Sequence, residues 1–270
     1  KILIMKKLKA ICFGEVLFDN FPTHSKIGGA PLNVSLRLQS YGVDVSMFSG
    51  VGDDVDGNKI IKYLNSCGVN TDGVQVSSSY GTGQVNVVLN DKGVASYDIA
   101  YPVAWDKILL RNHYETILKE TDVFVYGSLA CRDKTTRTTL LHLLKFAQYK
   151  VFDVNLRAPH YTKELLLELM QHANFVKFND DELYEVGEYL GSKYNSMEQT
   201  IVFVAKETQT ETICVTKGAY GAVLYHQNNF YYNSGYRIKV LDTVGSGDSF
   251  LASVIYKLIE IVSSGAQFIM

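Results

Sequence analysis

The stretch Asp242-Thr243-Val244-Gly245-Ser246-Gly247-Asp248-Ser249-Phe250 joins small residues to a carboxylate at a spacing that suits chemistry on an anion. It follows a strand-like run at 236–241 and opens an apolar helical run at 250–261. Glycines on both sides of Ser246 at a helix start let backbone N–H groups point into open space. The helix dipole then favours negative charge in front of them. Asp248 falls in the first turn, beside those amides. A carboxylate in that position suits phosphoryl transfer, because it can accept the proton of an attacking hydroxyl while the amides stabilise the moving charge. A plainer description also fits, a Gly-rich loop in which Asp248 only satisfies the helix dipole. The residues alone leave both open. No GxxxxGK[ST] occurs anywhere, so this is not a Walker A loop.

Three further groups have polar residue types at the ends of apolar runs. Asp153, Asn155 and Arg157 leave a central strand where open α/β sheets place their ligands. Their alternate spacing puts all three on one face if the strand continues. The forked, permanently charged Arg157 suits a phosphoryl or sugar contact or a surface ion pair, and Asp153 also fits a structural role. Asn179, Asp180, Asp181 and Glu182 read as the acid-rich first turn of a helix. Thr216, Gly218 and Gly221 read as a turn before the strand-like 222–225.

Positioning such groups requires a rigid frame, and the sequence predicts one. Apolar runs at 10–16, 45–51, 122–128, 150–156, 175–178 and 212–216 are mostly continuous rather than alternating, as in strands buried on both faces. Helical stretches are predicted between them at 32–41, 58–66, 108–119, 136–148, 163–172 and 181–190. In the second, Ile60, Ile61 and Leu64 share one face. This alternation predicts an α/β domain with a mostly parallel sheet covered on both sides. Residues 83–90 and 93–101 break the rhythm as two strand-like runs joined by Asn90-Asp91-Lys92-Gly93, a hairpin that could close over a cleft.

With these segments set out, the resemblance is to the ribokinase or PfkB carbohydrate kinases, most closely to bacterial fructokinases. Asp242–Phe250 resembles the family's C-terminal signature, D-T-x-G-[AS]-G-D-x-F. Cys12-Phe13-Gly14-Glu15-Val16-Leu17-Phe18-Asp19-Asn20-Phe21-Pro22 resembles the first strand of fructokinases. Gly28-Gly29-Ala30-Pro31-Leu32-Asn33-Val34 resembles the N-terminal signature, and Gly50-Val51-Gly52-Asp53-Asp54, Thr82-Gly83, 152–157, Asn179 with Glu182, and Thr216-Lys217-Gly218 with Gly221 follow in order. The resemblance implies one ribokinase-like domain over 1–270, a three-layer α/β/α sandwich with a small β lid around 17–27 and 81–102. It implies transfer of the ATP γ-phosphoryl to a primary hydroxyl of D-fructose, with Asp248 as base and the amides of Gly245, Ser246 and Gly247 as anion hole. Asp19, Gly29 and Asn33 then hold the sugar with Asn155 and Arg157. Thr216, Gly218, Gly221 and Asn179 serve the nucleotide, and Glu182 organises Mg²⁺ through water. 2-Keto-3-deoxygluconate kinases share much of this pattern, so the sugar stays open. A catalytically weak sugar or nucleotide sensor on the same scaffold is the rival from another class.

The remaining sequence features exclude more than they assign. The chain has 270 residues, 47% hydrophobic and 20% charged, with net charge -2, which offers no nucleic-acid footprint and no anionic-membrane surface. The short basic cluster Lys6, Lys7 and Lys9 reads as a solvated N-terminus, and Met5 as a candidate native start. Four cysteines without CxxC spacing fit a reducing cytoplasm, and six dispersed histidines form no ligand pattern. By the resemblance, longer members continue past 270 with a segment that encloses adenine and a monovalent cation. Its absence predicts weak ATP affinity and leaves a K⁺ site open. A lid-mediated homodimer is likewise only implied by the resemblance.

Overall fold

The computed structural model describes residues 7–89, 95–236 and 245–263. Its first half contains β1 (Lys9–Phe13), β2 (Leu17–Asn20), β3 (Ser25–Gly28), α1 (Ala30–Ser40), β4 (Asp44–Gly52), α2 (Val55–Ser66), β5 (Val74–Ser77), β6 (Gly83–Leu89) and β7 (Ala95–Ile99). Next come α3 (Tyr114–Lys119), β8 (Val123–Gly127), α4 (Lys134–Leu143), β9 (Lys150–Asp153), α5 (Lys163–Gln171), β10 (Phe175–Asn179) and α6 (Asp180–Leu190). The chain continues through α7 (Met197–Thr208), β11 (Thr212–Thr216), β12 (Ala222–His226), β13 (Asn229–Asn233) and α8 (Ser246–Ser263).

Among the described residues, nine strands form the main sheet in the order β13-β12-β11-β10-β9-β8-β1-β4-β5. β12 and β13 are antiparallel additions at one edge, and the other pairings are parallel. Side chains alternate across β1: Ile11 and Phe13 enter one apolar cluster, Ala10 and Cys12 the other. The first cluster is closed by residues of α3 to α7 such as Leu118, Leu140, Leu166, Leu183 and Val204. The second is closed by Leu32 and Leu38 of α1, Ile60 and Leu64 of α2, and Leu251 and Ile255 of α8. Helices therefore cover both faces, and each fully buried Leu or Phe contributes about 1.5–3 kcal/mol. The architecture is a three-layer α/β/α sandwich, as the sequence predicts. A second, four-stranded sheet, β3-β2-β6-β7, stands beside it. Arg132, whose guanidinium donates to Ala100 O and to buried Asp106, ties the exit of β7 to the main body.

Some boundaries differ from the predicted ones for clear local reasons. The helix predicted at 108–119 begins only at Tyr114. Ile108 is extended instead, its N–H donating to Thr136 Oγ1 and its carbonyl accepting from Thr139 Oγ1. α4 starts two residues before the predicted 136, because Asp133 caps it at the Thr135 N–H, and it ends at Leu143. The strand predicted at 150–156 stops at Asp153, since Asn155 has φ 39° and leaves the extended region. The hairpin turn at 90–93, Asp242 to Val244 of the signature, and the chain before 7 and after 263 lie outside the described residues. Among the described residues no helix is long and apolar enough to cross a membrane.

Candidate active site

A cavity of about 550 Å³ lies at the C-terminal ends of β9, β10 and β11, with the small sheet across from them. Its wall includes Asp19, Gly29, Asn33, Asn155, Arg157, Asn179, Glu182, Thr216, Gly218 and the run from Gly245 to Asp248. These come from segments more than two hundred positions apart. Of the described residues singled out as candidates for the site, Asp153 and Gly221 do not line it; the glycine has a packing role instead. Its φ is +87°, and a Cβ there would sit 1.9 Å from Asn233 O, so this glycine serves the close packing of the turn against β13.

Asp248 occupies the first turn of α8. The Ser249 N–H, donating to Gly245 O at 2.9 Å, is the first bond of that helix, so the amides just before it have no intrahelical acceptor. Gly245 has φ +72°, which aims this turn at the cavity. Asp248 Oδ2 accepts a 2.7 Å hydrogen bond from Asn33 Nδ2 in the first turn of α1. Burial pushes its carboxyl up to about 6, and the negative charge of Asp153 adds to this, while Asn33, Lys177 and Arg157 pull it down. A carboxyl poised there is ionised at neutral pH yet basic enough to take a proton.

Beneath the loop lies a buried ion pair. Lys177 Nζ donates to Asp153 Oδ1 at 3.0 Å, both side chains less than a tenth exposed. Burial pushes the Lys177 ammonium down, but Asp153, Glu182 and Asp248 hold it above its ordinary value. A Cβ on Gly247 would be 3.4 Å from Lys177 Nζ, so the cation sits directly under the glycine loop. Sequence reasoning passed over Lys177. Its signal was a lone charge inside the apolar run Phe175-Val176-Lys177-Phe178.

On the small sheet, Asp19 of β2 is half-buried and pushed up by burial, against the pull of Arg157 and Lys26. A Cβ at Gly28 would lie 2.3 Å from Asp19 Oδ2, so glycine in β3 leaves this carboxylate its room. Gly29 is the N-cap of α1 with φ +112°, and a Cβ there would be 2.4 Å from Glu15 O. Glu15 is a second wall residue that sequence reasoning did not single out; it is 2% exposed and faces the same cavity. Its signal was a charge one glycine beyond the apolar run that forms β1.

Asn179 and Glu182 form a reciprocal cap at the start of α6. The Glu182 N–H donates to Asn179 Oδ1 and the Asn179 N–H donates to Glu182 Oε2, each at 2.8 Å. Glu182 Oε1 accepts from the Leu156 N–H at 3.0 Å. Both carboxylate oxygens of Glu182 thus accept a backbone hydrogen bond, an arrangement compatible with contact to an ion through water. Among the described residues no three His, Cys, Asp or Glu side chains are grouped to hold a metal directly. The hard oxygens of Asn179, Asp180 and Asp181 at the wall suit a hydrated Mg²⁺, which keeps several waters. Thr216 ends β11, and Gly218, φ +54° with open space around it, lets backbone approach a ligand closely.

The model of the pfkB family carbohydrate kinases matches residues 3–267. Probable fructokinase-6, a chloroplastic protein of Arabidopsis thaliana, is 24% identical over 270 residues, spanning 92% of this chain and 69% of the relative. The structure of an ATP-bound fructokinase from Xylella fastidiosa superposes with a TM-score of 0.83 at 22% identity, covering 93% of this chain and 81% of that one. A double mutant of the Vibrio cholerae O395 fructokinase, bound to fructose, ADP and potassium ion, superposes with a TM-score of 0.78 at 21% identity, covering 93% of this chain and 83% of that one.

Proposed function

The chain belongs to the pfkB family of carbohydrate kinases, and we propose that it transfers the γ-phosphoryl of ATP to a primary hydroxyl of D-fructose. The observation that carries this reading is Asp248, raised to about 6 and held by Asn33 at the mouth of a glycine-lined helix start. In that role Asp248 accepts the proton of the attacking hydroxyl. The amides from Gly245 to Gly247, which have no intrahelical acceptor, stabilise the charge that develops on the phosphoryl oxygens. Lys177 beneath the loop and Arg157 at the wall add fixed positive charge there. Asp19, Gly29, Asn33 and Asn155 hold the sugar, and the small sheet closes over it as a lid. Thr216, Gly218 and Asn179 face the nucleotide. Asn179 and Asp180, with Glu182 through water, would hold a Mg²⁺ that would neutralise phosphate charge.

Fructose as the acceptor rests on the relatives named as fructokinases. An ADP-release assay across a sugar panel tests it, with fructose and MgATP leading. If 2-keto-3-deoxygluconate turns over about tenfold faster, a difference of ~1.4 kcal/mol in transition-state binding, it replaces fructose as the substrate. Sugar binding without turnover of any sugar would instead favour the sensor.

A further inference from the structure

β1 ends at Phe13, and Gly14 at φ +141° turns the chain so that Glu15 enters the floor of the cavity. The position is tightly held. Its carbonyl abuts the Gly29 Cα, and its carboxylate leans on its own amide and that of Ala30. Yet Oε2 is buried and has no hydrogen-bond partner among the described residues. Burial pushes the carboxyl up to about 7, Arg157 across the cavity pulls it down and Asp248 pushes it up. The buried Cys131 thiol is near enough for the Glu15 charge to help push it up. Buried polar oxygens in folded proteins are almost always paired, because leaving one unpaired costs free energy. A partner is therefore to come from what fills the cavity. Phosphate groups are acceptors only and would be repelled, whereas a sugar hydroxyl is a donor. Glu15 also stands beside Gly29 in space and on the turn leading to Asp19 in the chain.

We propose that Glu15 is a sugar-binding residue of this site, its Oε2 accepting a hydrogen bond from an acceptor-sugar hydroxyl other than the one that Asp248 deprotonates. This rests on the sugar-kinase reading of the cavity, though not on fructose being the sugar. Glu15 in the free protein is then a group whose folded form is destabilised until the sugar arrives. The sign follows from a folded value of about 7 above the ordinary 4.5. The stabilisation by the proton is complete below 4.5 and is lost as pH rises through about 7.

Glu15→Gln keeps the shape and the acceptor for the Ala30 amide while removing the charge. Calorimetry with the best sugar of the panel should show Kd raised about tenfold, the size of one charge-assisted hydrogen bond, with KM for ATP unchanged. Without sugar, the variant should melt above the wild type at pH well above 7 and level with it in acid. Equal sugar Kd in wild type and Glu15→Gln, for every sugar that the wild type binds, overturns the proposal and leaves the kinase reading standing. No sugar bound by the wild type overturns both. Should Glu15→Gln not fold, the Asp248→Asn protein, which lacks the neighbouring titrating carboxyl, serves instead. Its sugar Kd should tighten as pH rises through the Glu15 titration, which loss of the Asp248 charge moves below its wild-type position, and a flat profile overturns the proposal.

Discussion

Asn33 Nδ2 donates to Asp248 Oδ2 over 2.7 Å, joining the first turn of α1 to the first turn of α8 across 215 positions of sequence. The two helices reinforce the link further along, where Tyr41 Oη and Ser253 Oγ are 2.7 Å apart and the Tyr41 and Tyr256 rings lie 5.2 Å apart. The carboxylate is thus aimed by a side chain that also lines the cavity. On the proposed reading, sugar placement and base placement share one residue.

That bond sets the pH profile. Asp248 works as a base only when ionised, so kcat/KM should fall as pH drops through about 6. Asn33 favours the ionised form, and Asn33→Ala should move this acid limb to higher pH. Asp153→Asn removes a negative neighbour and should move it lower. Rate profiles of the three proteins decide it. An unmoved limb in both variants would assign the titration to another group.

Asp248→Asn keeps the shape and the contact to Asn33 but cannot take a proton. Turnover should drop by roughly a hundredfold to ten-thousandfold, the usual contribution of a general base. Sugar affinity, read by calorimetry, should stay within about threefold, since the change costs at most one modest interaction. A variant retaining most of its kcat removes Asp248 from the chemistry.

Much of this frame was legible because strands buried on both faces read as unbroken apolar runs, as in Val123-Phe124-Val125-Tyr126 of β8. The signature glycines, Asp248 and the capping pair Asn179 and Glu182 were legible for the same local reason, that turns and helix starts demand particular residues. The helix α7 was not. Thr200, Ile201, Val202 and Val204 are β-branched and blur its period, and only Ser196, which caps the Gln199 N–H, marks its start. β13, Asn229-Phe230-Tyr231-Tyr232-Asn233, is a half-exposed edge strand without an apolar run to announce it. Asp153, Asn155 and Arg157 were grouped on one extended face, but the strand ends at Asp153, which turns to Lys177 instead. That pairing depends on strand register, which no local pattern encodes.

The Asp153–Lys177 pair should behave as a buried ion pair does. Lys177→Met leaves a carboxylate at 3% exposure uncompensated and should destabilise the protein by about 3–5 kcal/mol. Adding Asp153→Asn should recover much of that stability, since the stranded charge is gone, while turnover stays low because the cation under Gly247 is still missing. Denaturant midpoints of the two singles and the double measure the coupling. Additive losses would mean that the two charges do not depend on each other.

Gly29 and Gly42 separate backbone strain from site geometry. Both have positive φ, +112° and +85°, so an alanine is strained at either, by about 1–2 kcal/mol. They differ in what the new methyl meets. At Gly42 there is nothing within 4 Å, and the residue lies just past the end of α1. At Gly29 the methyl would press on Glu15 O at 2.4 Å, where neither backbone can yield without moving α1 or the floor of the cavity. Gly42→Ala should therefore lower the melting temperature by a few degrees with KM for the sugar unchanged. Gly29→Ala should cost more stability and also raise the sugar KM about tenfold or more, through displacement of Asn33 and Glu15. Equal effects of the two substitutions on sugar KM would mean that the clash is absorbed locally and that the Gly29 contact does not position the site.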